Sequence, residues 1–202
     1  MWTELRRALE RRERRPPLRI LGELRAAADL CYAEGITATG VDRLCRAAGV
    51  SKRSMYQLFE TKDALVAESL ERFGPADTAG YVPADAAAMS PRDAVLHVFE
   101  RLDAAAGAPG FHGCPYVTAA TELRDPQHPA SVVARRHKAQ LAAFFAQQAR
   151  RGGTADPELL GEQLTAVFDG VGARSVVRGE GVPGLGVSTA SALLDAAGLV
   201  AA

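Results

Sequence analysis

Apolar residues recur every three or four positions along most of this chain, and glycine or proline marks the gaps between runs. Between Leu18 and Glu34 the repeating positions are Ile20, Leu21, Leu24, Ala27, Ala28 and Cys31, with Gly35 placed to cap the helix end. Two short segments follow at about 41–48 and 52–58, separated by Gly49. A fourth helix is expected after Thr61, an N-cap residue with Asp63 in the first turn. It turns Leu65, Ala67, Leu70 and Phe73 inward, and Gly74-Pro75 should weaken or end it. Residues 74–90 read as loop or frayed helix.

Ser90-Pro91 opens a helix at about 91–106 with Ala94, Val95, Val98, Phe99 and Leu102 as its buried stripe. Further helices are expected at about 114–123, 129–151, 157–178 and 188–200. The breaks between them fall at Asp125-Pro126, Gly152-Gly153 and the Gly181–Gly186 stretch. No segment alternates with period two, so the expected class is all-α.

Nearly half of the 202 residues are apolar, enough for a core in one or two domains. No window approaches about eighteen uninterrupted apolar residues, so no membrane span is expected. The N-terminus lacks the apolar stretch of a secretory signal. Cys31, Cys45 and Cys114 are sparse and odd in number, which fits a reducing cytoplasm. His97, His112, His128 and His137 show no metal-ligand spacing, so neither metal nor cofactor is expected; His128 reads as a helix-start residue.

Net charge is zero, but its distribution is not even. Residues 1–62 hold 13 Lys and Arg against 8 Asp and Glu, a balance of +5; residues 63–202 balance at −5. The first stretch is dense in arginine (Arg6, Arg7, Arg11, Arg12, Arg14, Arg15) and is set off by Pro16-Pro17. It reads either as an arm along a phosphate backbone or as a solvated tail, and Trp2, Leu5 and Leu9 have helical spacing. A basic half next to an acidic one is the electrostatic pattern of nucleic-acid binding.

The basic half also holds the two short helices flanking Gly49, which read as a helix-turn-helix. The second opens Ser51-Lys52-Arg53-Ser54, a run of donors where a recognition helix meets the major groove. Around it stand Ala27-Ala28-Asp29-Leu30, Glu34-Gly35-Ile36, Thr39-Gly40-Val41, Ala48-Gly49-Val50-Ser51, Tyr56-Gln57-Leu58-Phe59 and Lys62-Asp63-Ala64-Leu65. In these landmarks residues 20–70 resemble the DNA-binding domain of the tetracycline-repressor (TetR) family. Cys31 and Cys45 depart from the usual phenylalanine and alanine, away from the DNA-facing side.

The resemblance implies roles for matched positions. Thr39 and Gly40 would meet backbone phosphate. Ser51, Lys52, Arg53, Ser54 and Gln57 would meet bases and phosphates, with Arg53 suited to guanine O6 and N7. Tyr56 and Lys62 would bind phosphate. Leu58 and Phe59 are expected in the core. Cys31 and Cys45 are expected to be buried and unreactive.

The segment Gly113-Cys114-Pro115-Tyr116-Val117-Thr118-Ala119-Ala120-Thr121-Glu122-Leu123, with Asp125-Pro126 and His128-Pro129, resembles the regulatory domain of one TetR subgroup. The family places an inducer pocket among the middle helices. Tyr116, Thr118 and Thr121 would supply hydroxyls there, and His97, Phe111, Phe145 and Phe168 would complete the lining. The last two helices pair with their mates in the family. This puts Leu164, Val167, Val171, Ser175, Leu193 and Ala197 at a homodimer interface, with Gly170, Gly172 and Ala173 allowing close approach.

The expected layout is a basic arm (1–17), a helix-turn-helix domain (18–62) and a ligand-binding and dimerisation domain (63–202). The resemblance implies a cytoplasmic repressor that binds a palindromic double-stranded DNA operator as a dimer and is released by a small-molecule effector. The alternatives are an effector-independent DNA-binding protein, favoured by a filled C-terminal core, and a small helical enzyme. No Ser-His-acid order, phosphate-binding glycine loop or metal cluster in the sequence supports the enzyme.

Overall fold

Caps written into the sequence start most of the helices. The computed structural model describes residues 18–78 and 80–200, which form nine helices and no strand. In chain order these are α1 (Leu18–Glu34), α2 (Val41–Ala47), α3 (Lys52–Leu58), α4 (Lys62–Thr78), α5 (Pro91–Ala106), α6 (Pro115–Leu123), α7 (Pro129–Arg151), α8 (Pro157–Arg178) and α9 (Leu185–Ala196). Ser51, Ser90 and Asp156 accept hydrogen bonds from the backbone N–H three residues on, and the His128 imidazole accepts from Ala130 N–H. Each satisfies a donor the first helical turn leaves open. The Arg-rich arm, with Trp2, Leu5 and Leu9, lies outside the described residues.

Two apolar clusters organise the packing. The first gathers Leu24, Ala27, Leu44, Met55, Leu65 and Val66 from α1–α4. Tyr116 and Ala119 of α6 and Ala130, Val133 and Ala134 of α7 belong to the same cluster. The second joins Val95, Val98, Phe99 and Leu102 of α5 to Phe145 of α7, Leu164, Phe168 and Val171 of α8, and Ala190 and Leu194 of α9. At its centre Phe99 and Phe145 stack with centroids 5.7 Å apart, both fully buried. Each such side chain contributes roughly 1.5–3 kcal/mol by leaving water. Helix α7 belongs to both clusters, its first turns in one and its last turns in the other, so α6 and α7 join α1–α4 to the rest of the chain.

Three local expectations give way to tertiary packing. Helix α4 runs through Gly74-Pro75 to Thr78 instead of ending there. Proline removes one backbone hydrogen bond, and the packing of α4 against α1 and α7 carries the helix past it. Helix α9 begins at Leu185, earlier than the expected 188, because the Asp103 carboxylate accepts Gly184 N–H at 2.8 Å and anchors its start from α5. It ends at Ala196, where Gly198 (φ 81°) reverses the chain and returns Leu199 to the core. Leu199 then sits so close to Gly152 that a Cβ there would lie 2.7 Å from its side chain. Leu58, expected in the core, is 46% exposed at the end of α3, while Phe59 packs against the first cluster.

No helix among the described residues is long and apolar enough to cross a membrane.

Candidate nucleic-acid interface and ligand cavity

Helix α3 is short, and only Met55 is buried along it. Met55 packs under α2, where Cys45 Sγ lies 3.8 Å from its Sδ. This single inward anchor leaves Lys52, Arg53, Tyr56 and Gln57 on one open surface, with Tyr56 49% exposed. Arg53 has no hydrogen-bond or ionic partner among the described residues and is available to a ligand. Ser51 and Ser54 are occupied with each other: Ser51 Oγ accepts Ser54 N–H at 3.1 Å and lies 3.0 Å from Ser54 Oγ. Lys52 pairs with Asp42 at 2.8 Å, and that hydrogen bond raises its pKa. A phosphate contact by Lys52 would have to compete with Asp42.

Two expected DNA contacts are placed differently. Thr39 is fully buried, and its hydroxyl donates to Gly35 O at 2.6 Å, closing the end of α1. A side-chain phosphate contact by Thr39 is therefore corrected to a structural role. Its neighbour Gly40 is the exposed N-cap of α2 and has open space where a Cβ would be, so its backbone can approach an anion. Lys62 is half-buried and donates to Ile36 O at 2.6 Å, which ties α4 to the loop before α2 rather than pointing to solvent.

The same loop is held from the other side by Glu122, near the end of α6. Its carboxylate accepts Ile36 N–H at 2.9 Å, Thr37 N–H at 2.7 Å and the Thr37 hydroxyl at 2.6 Å. Burial opposes the Glu122 charge, but these hydrogen bonds and nearby Lys62 outweigh it and hold the carboxyl below its ordinary pKa. Gly35 has φ 92°, and a Cβ there would stand 3.1 Å from Glu122 Oε1. The residue is glycine for both reasons. A second bridge lies at the start of α6. Tyr32 of α1 donates its hydroxyl to Gly113 O at 2.8 Å and accepts His112 N–H at 2.9 Å.

Above these bridges lie two cavities. One, of about 300 Å³, is bounded by α1, the 108–115 turn and α8, with Arg25, Tyr32, Leu102, Phe111 and Phe168 on its walls. The other, of about 310 Å³, lies between α6, α7 and α8 and is lined by Tyr116, His137, Lys138, Leu141, Phe144 and Phe168. Tyr81, Cys114 and Phe168 face both. Of the expected lining, Phe111, Tyr116 and Phe168 are therefore in place. Thr118 faces only a minor void of about 40 Å³.

The other three are corrected. Phe145 is sealed in the second core. Thr121 is exposed and returns its hydroxyl to Val117 O and Thr118 O. His97 is on none of these cavity walls. Sequence reasoning missed Tyr81, His137, Lys138 and Phe144 on the cavity walls, and the Glu122 and Tyr32 bridges. A tyrosine alone in an otherwise Gly- and Ala-rich loop was the available sign for Tyr81.

The expected dimer residues are also relocated. Leu164, Val171 and Ser175 are buried within the chain, and Val167, Leu193 and Ala197 are partly buried against the second core. The opposite face of α8 is open and carries Ala166, Gly170, Ala173 and Val177 at helical spacing, with Val177 76% exposed. A Cβ on Gly170 would meet nothing within 4 Å. Leu185, Ala192 and Ala196 expose a similar strip on α9.

Burial keeps all three thiols protonated: Cys31 is pushed up to about 11, and Cys45 and Cys114 are raised. Among the described residues no group of three potential metal ligands occurs.

Comparison with known proteins agrees with this arrangement. Residues 24–69 match the family described as bacterial regulatory proteins, tetR family. A TetR transcriptional regulator from Streptomyces avermitilis is 49% identical, with 90% of this chain and 99% of that chain aligned and a TM-score of 0.85. A TetR-family transcriptional regulator from Streptomyces coelicolor shares the fold at 24% identity, covering 89% and 95% of the two chains at a TM-score of 0.77. So does a cysteine mutant of the TetR family regulator CifR, complexed with 26 base pairs of double-strand operator DNA. It is 21% identical over 86% of this chain and 94% of that one, at a TM-score of 0.71. A search of curated proteins finds no match.

Proposed function

The chain belongs to the TetR family of bacterial regulatory proteins, transcriptional regulators rather than enzymes, and on that premise we propose that it is an effector-responsive repressor. It acts as a homodimer that occupies a palindromic operator and leaves it when a small molecule fills the cavities beside α6. Double-stranded DNA is the partner of the surface formed by Gly40, Arg53, Tyr56 and Gln57. The operator complex of the CifR mutant supports this reading by analogy of fold.

The observation that carries the effector reading is the position of α6. Cys114 and Tyr116, at its start, line the cavities, and Glu122, near its end, holds the loop that enters α2. A ligand that displaces the start of α6 therefore acts on the segment that orients the reading helices. Two cavities of about 300 Å³ favour this over an effector-independent DNA binder, whose core would be filled. The ligand must bind the released conformation more tightly than the operator-bound one. A shift from 1:99 to 99:1 takes roughly 5.5 kcal/mol of differential binding.

A second copy is supported by the open small-residue face of α8 and α9, because two half-sites need two reading heads. The division into a reading domain at 18–62 and a ligand and dimer domain at 63–202 belongs to the same proposal.

The test has two parts. Selection of bound duplexes from random DNA yields the operator, and a palindrome is expected. A thermal-shift screen of small apolar metabolites then yields binders, each tested for operator release. A non-palindromic site, or binders that never alter operator affinity, would remove the dimeric or the effector part of the reading.

A further inference from the structure

The 310 Å³ cavity carries chemistry that narrows what can occupy it. Its walls are aromatic, from Tyr81, Tyr116, Phe144 and Phe168. They stand as flat surfaces: the Tyr116 ring stacks on His137 with centroids 4.6 Å apart, and Tyr81 meets Phe168 edge-on at 5.4 Å. Such walls favour a flat aromatic guest.

The charges bordering the cavity cancel. Lys138 forms a hydrogen-bonded ion pair with Asp169, and its ammonium lies 4.8 Å over the Phe168 ring. Glu71, which stands 3.6 Å from His137 Nε2, forms an ion pair with Arg136. Burial and Arg136 lower the His137 pKa, which keeps its imidazole neutral near pH 7. An anionic guest would face Asp169 behind Lys138, and a cationic guest would face Lys138 itself. A buried charge without a counter-charge is strongly disfavoured.

Donors remain. An ammonium has three N–H groups, and one of Lys138's is used on Asp169. His137 gives the cavity only the wall of its ring, since its Nε2 is closed off on the side of Glu71. A carbonyl or similar acceptor beside Lys138 would take up one of the two N–H groups that remain.

We propose that this cavity binds a neutral, flat aromatic ligand bearing a hydrogen-bond acceptor, which Lys138 receives while Phe168, Phe144 and Tyr81 clasp its rings. The inference rests on the effector reading for its biological meaning, but not for the binding itself.

The experiment is calorimetric titration of the full-length chain with four naphthalenes that differ in one substituent. They are 2-acetylnaphthalene, 2-ethylnaphthalene, 2-naphthoate and 2-(aminomethyl)naphthalene. The ketone should bind more tightly than its ethyl isostere by about tenfold, the scale of one net hydrogen bond. The acid and the amine should both bind more weakly than the ketone.

The double variant Lys138→Met/Asp169→Asn removes both charges together and strands neither. It should still bind the ethyl compound while losing most of the ketone preference. Tighter binding of the acid or the amine overturns the proposed class, as does binding by none of the four. A ketone preference that survives the double variant overturns the role of Lys138. If the ketone binds as expected and the operator stays bound, the ligand class stands and the effector reading falls.

Discussion

Arg53 and Lys62 are both cations that the sequence alone sends to DNA, and their surroundings separate them. Arg53 stands exposed on α3 with no partner among the described residues, and its guanidinium can bond O6 and N7 of one guanine. Arg53→Ala should cost about 1–3 kcal/mol on the selected operator and relax preference at one base per half-site. Anisotropy titrations on operator and random duplex decide it, since equal losses on both would make Arg53 a phosphate contact. Lys62 donates to Ile36 O instead. Lys62→Met should lower the melting temperature, because it removes a charged hydrogen bond of about 1.5–3 kcal/mol. The slope of log affinity against log salt should stay as it was. A slope flatter by about 0.9 would return Lys62 to the phosphates.

At the scale of elements, Glu122 ties α6 to the loop before α2 through Ile36 and Thr37. Its folded pKa lies below the ordinary value, so its contribution is complete above the unfolded carboxylate range and disappears as pH falls through the depressed value. Glu122→Gln keeps one acceptor oxygen but loses the charge. It should reduce stability near neutral pH and flatten the acid limb of the stability profile. With any effector in hand, the same variant should bind that effector normally and release operator less completely. Melting curves from pH 7 down to acid check the first part, and an unchanged acid limb would deny Glu122 its role. Ser51→Ala removes the cap of α3 and should cost about 1 kcal/mol, read by denaturant unfolding. Neutral stability in that variant would mean that packing of Met55 alone holds α3.

At the scale of the whole molecule, α8 has two apolar faces of different composition. Large residues such as Leu164, Phe168 and Val171 fill the chain's own core, and the small ones at 166, 170 and 173 are left outside. If the open face is the proposed dimer interface, Ala173→Glu should keep the fold and leave the chain monomeric, with operator affinity falling because the second head is no longer tethered. Val171→Glu places an unpaired charge in the core and should unfold the chain. Sedimentation and circular dichroism distinguish the two. A folded, dimeric Ala173→Glu protein would move the interface off this face.

Local rules were enough to determine a good deal. The helical class, most helix boundaries, the caps at Thr61 and Ser90, the helix start at His128 and the exposed donors of α3 are properties of spacing and of residues within one turn of each other. The charge division and the family resemblance also required only the order of residues. What the sequence could not determine were relations across the fold. Hydrophobicity says that a side chain leaves water but not what covers it, so Leu164 and Val171 read as a dimer face when they are core. A threonine or lysine near a helix start reads as a phosphate ligand until its partner, Gly35 O or Ile36 O, is seen. The Glu122 and Tyr32 bridges join residues more than eighty positions apart, and no local pattern encodes such a pairing. Cavities are where packing stops, which only the three-dimensional arrangement of all the helices decides.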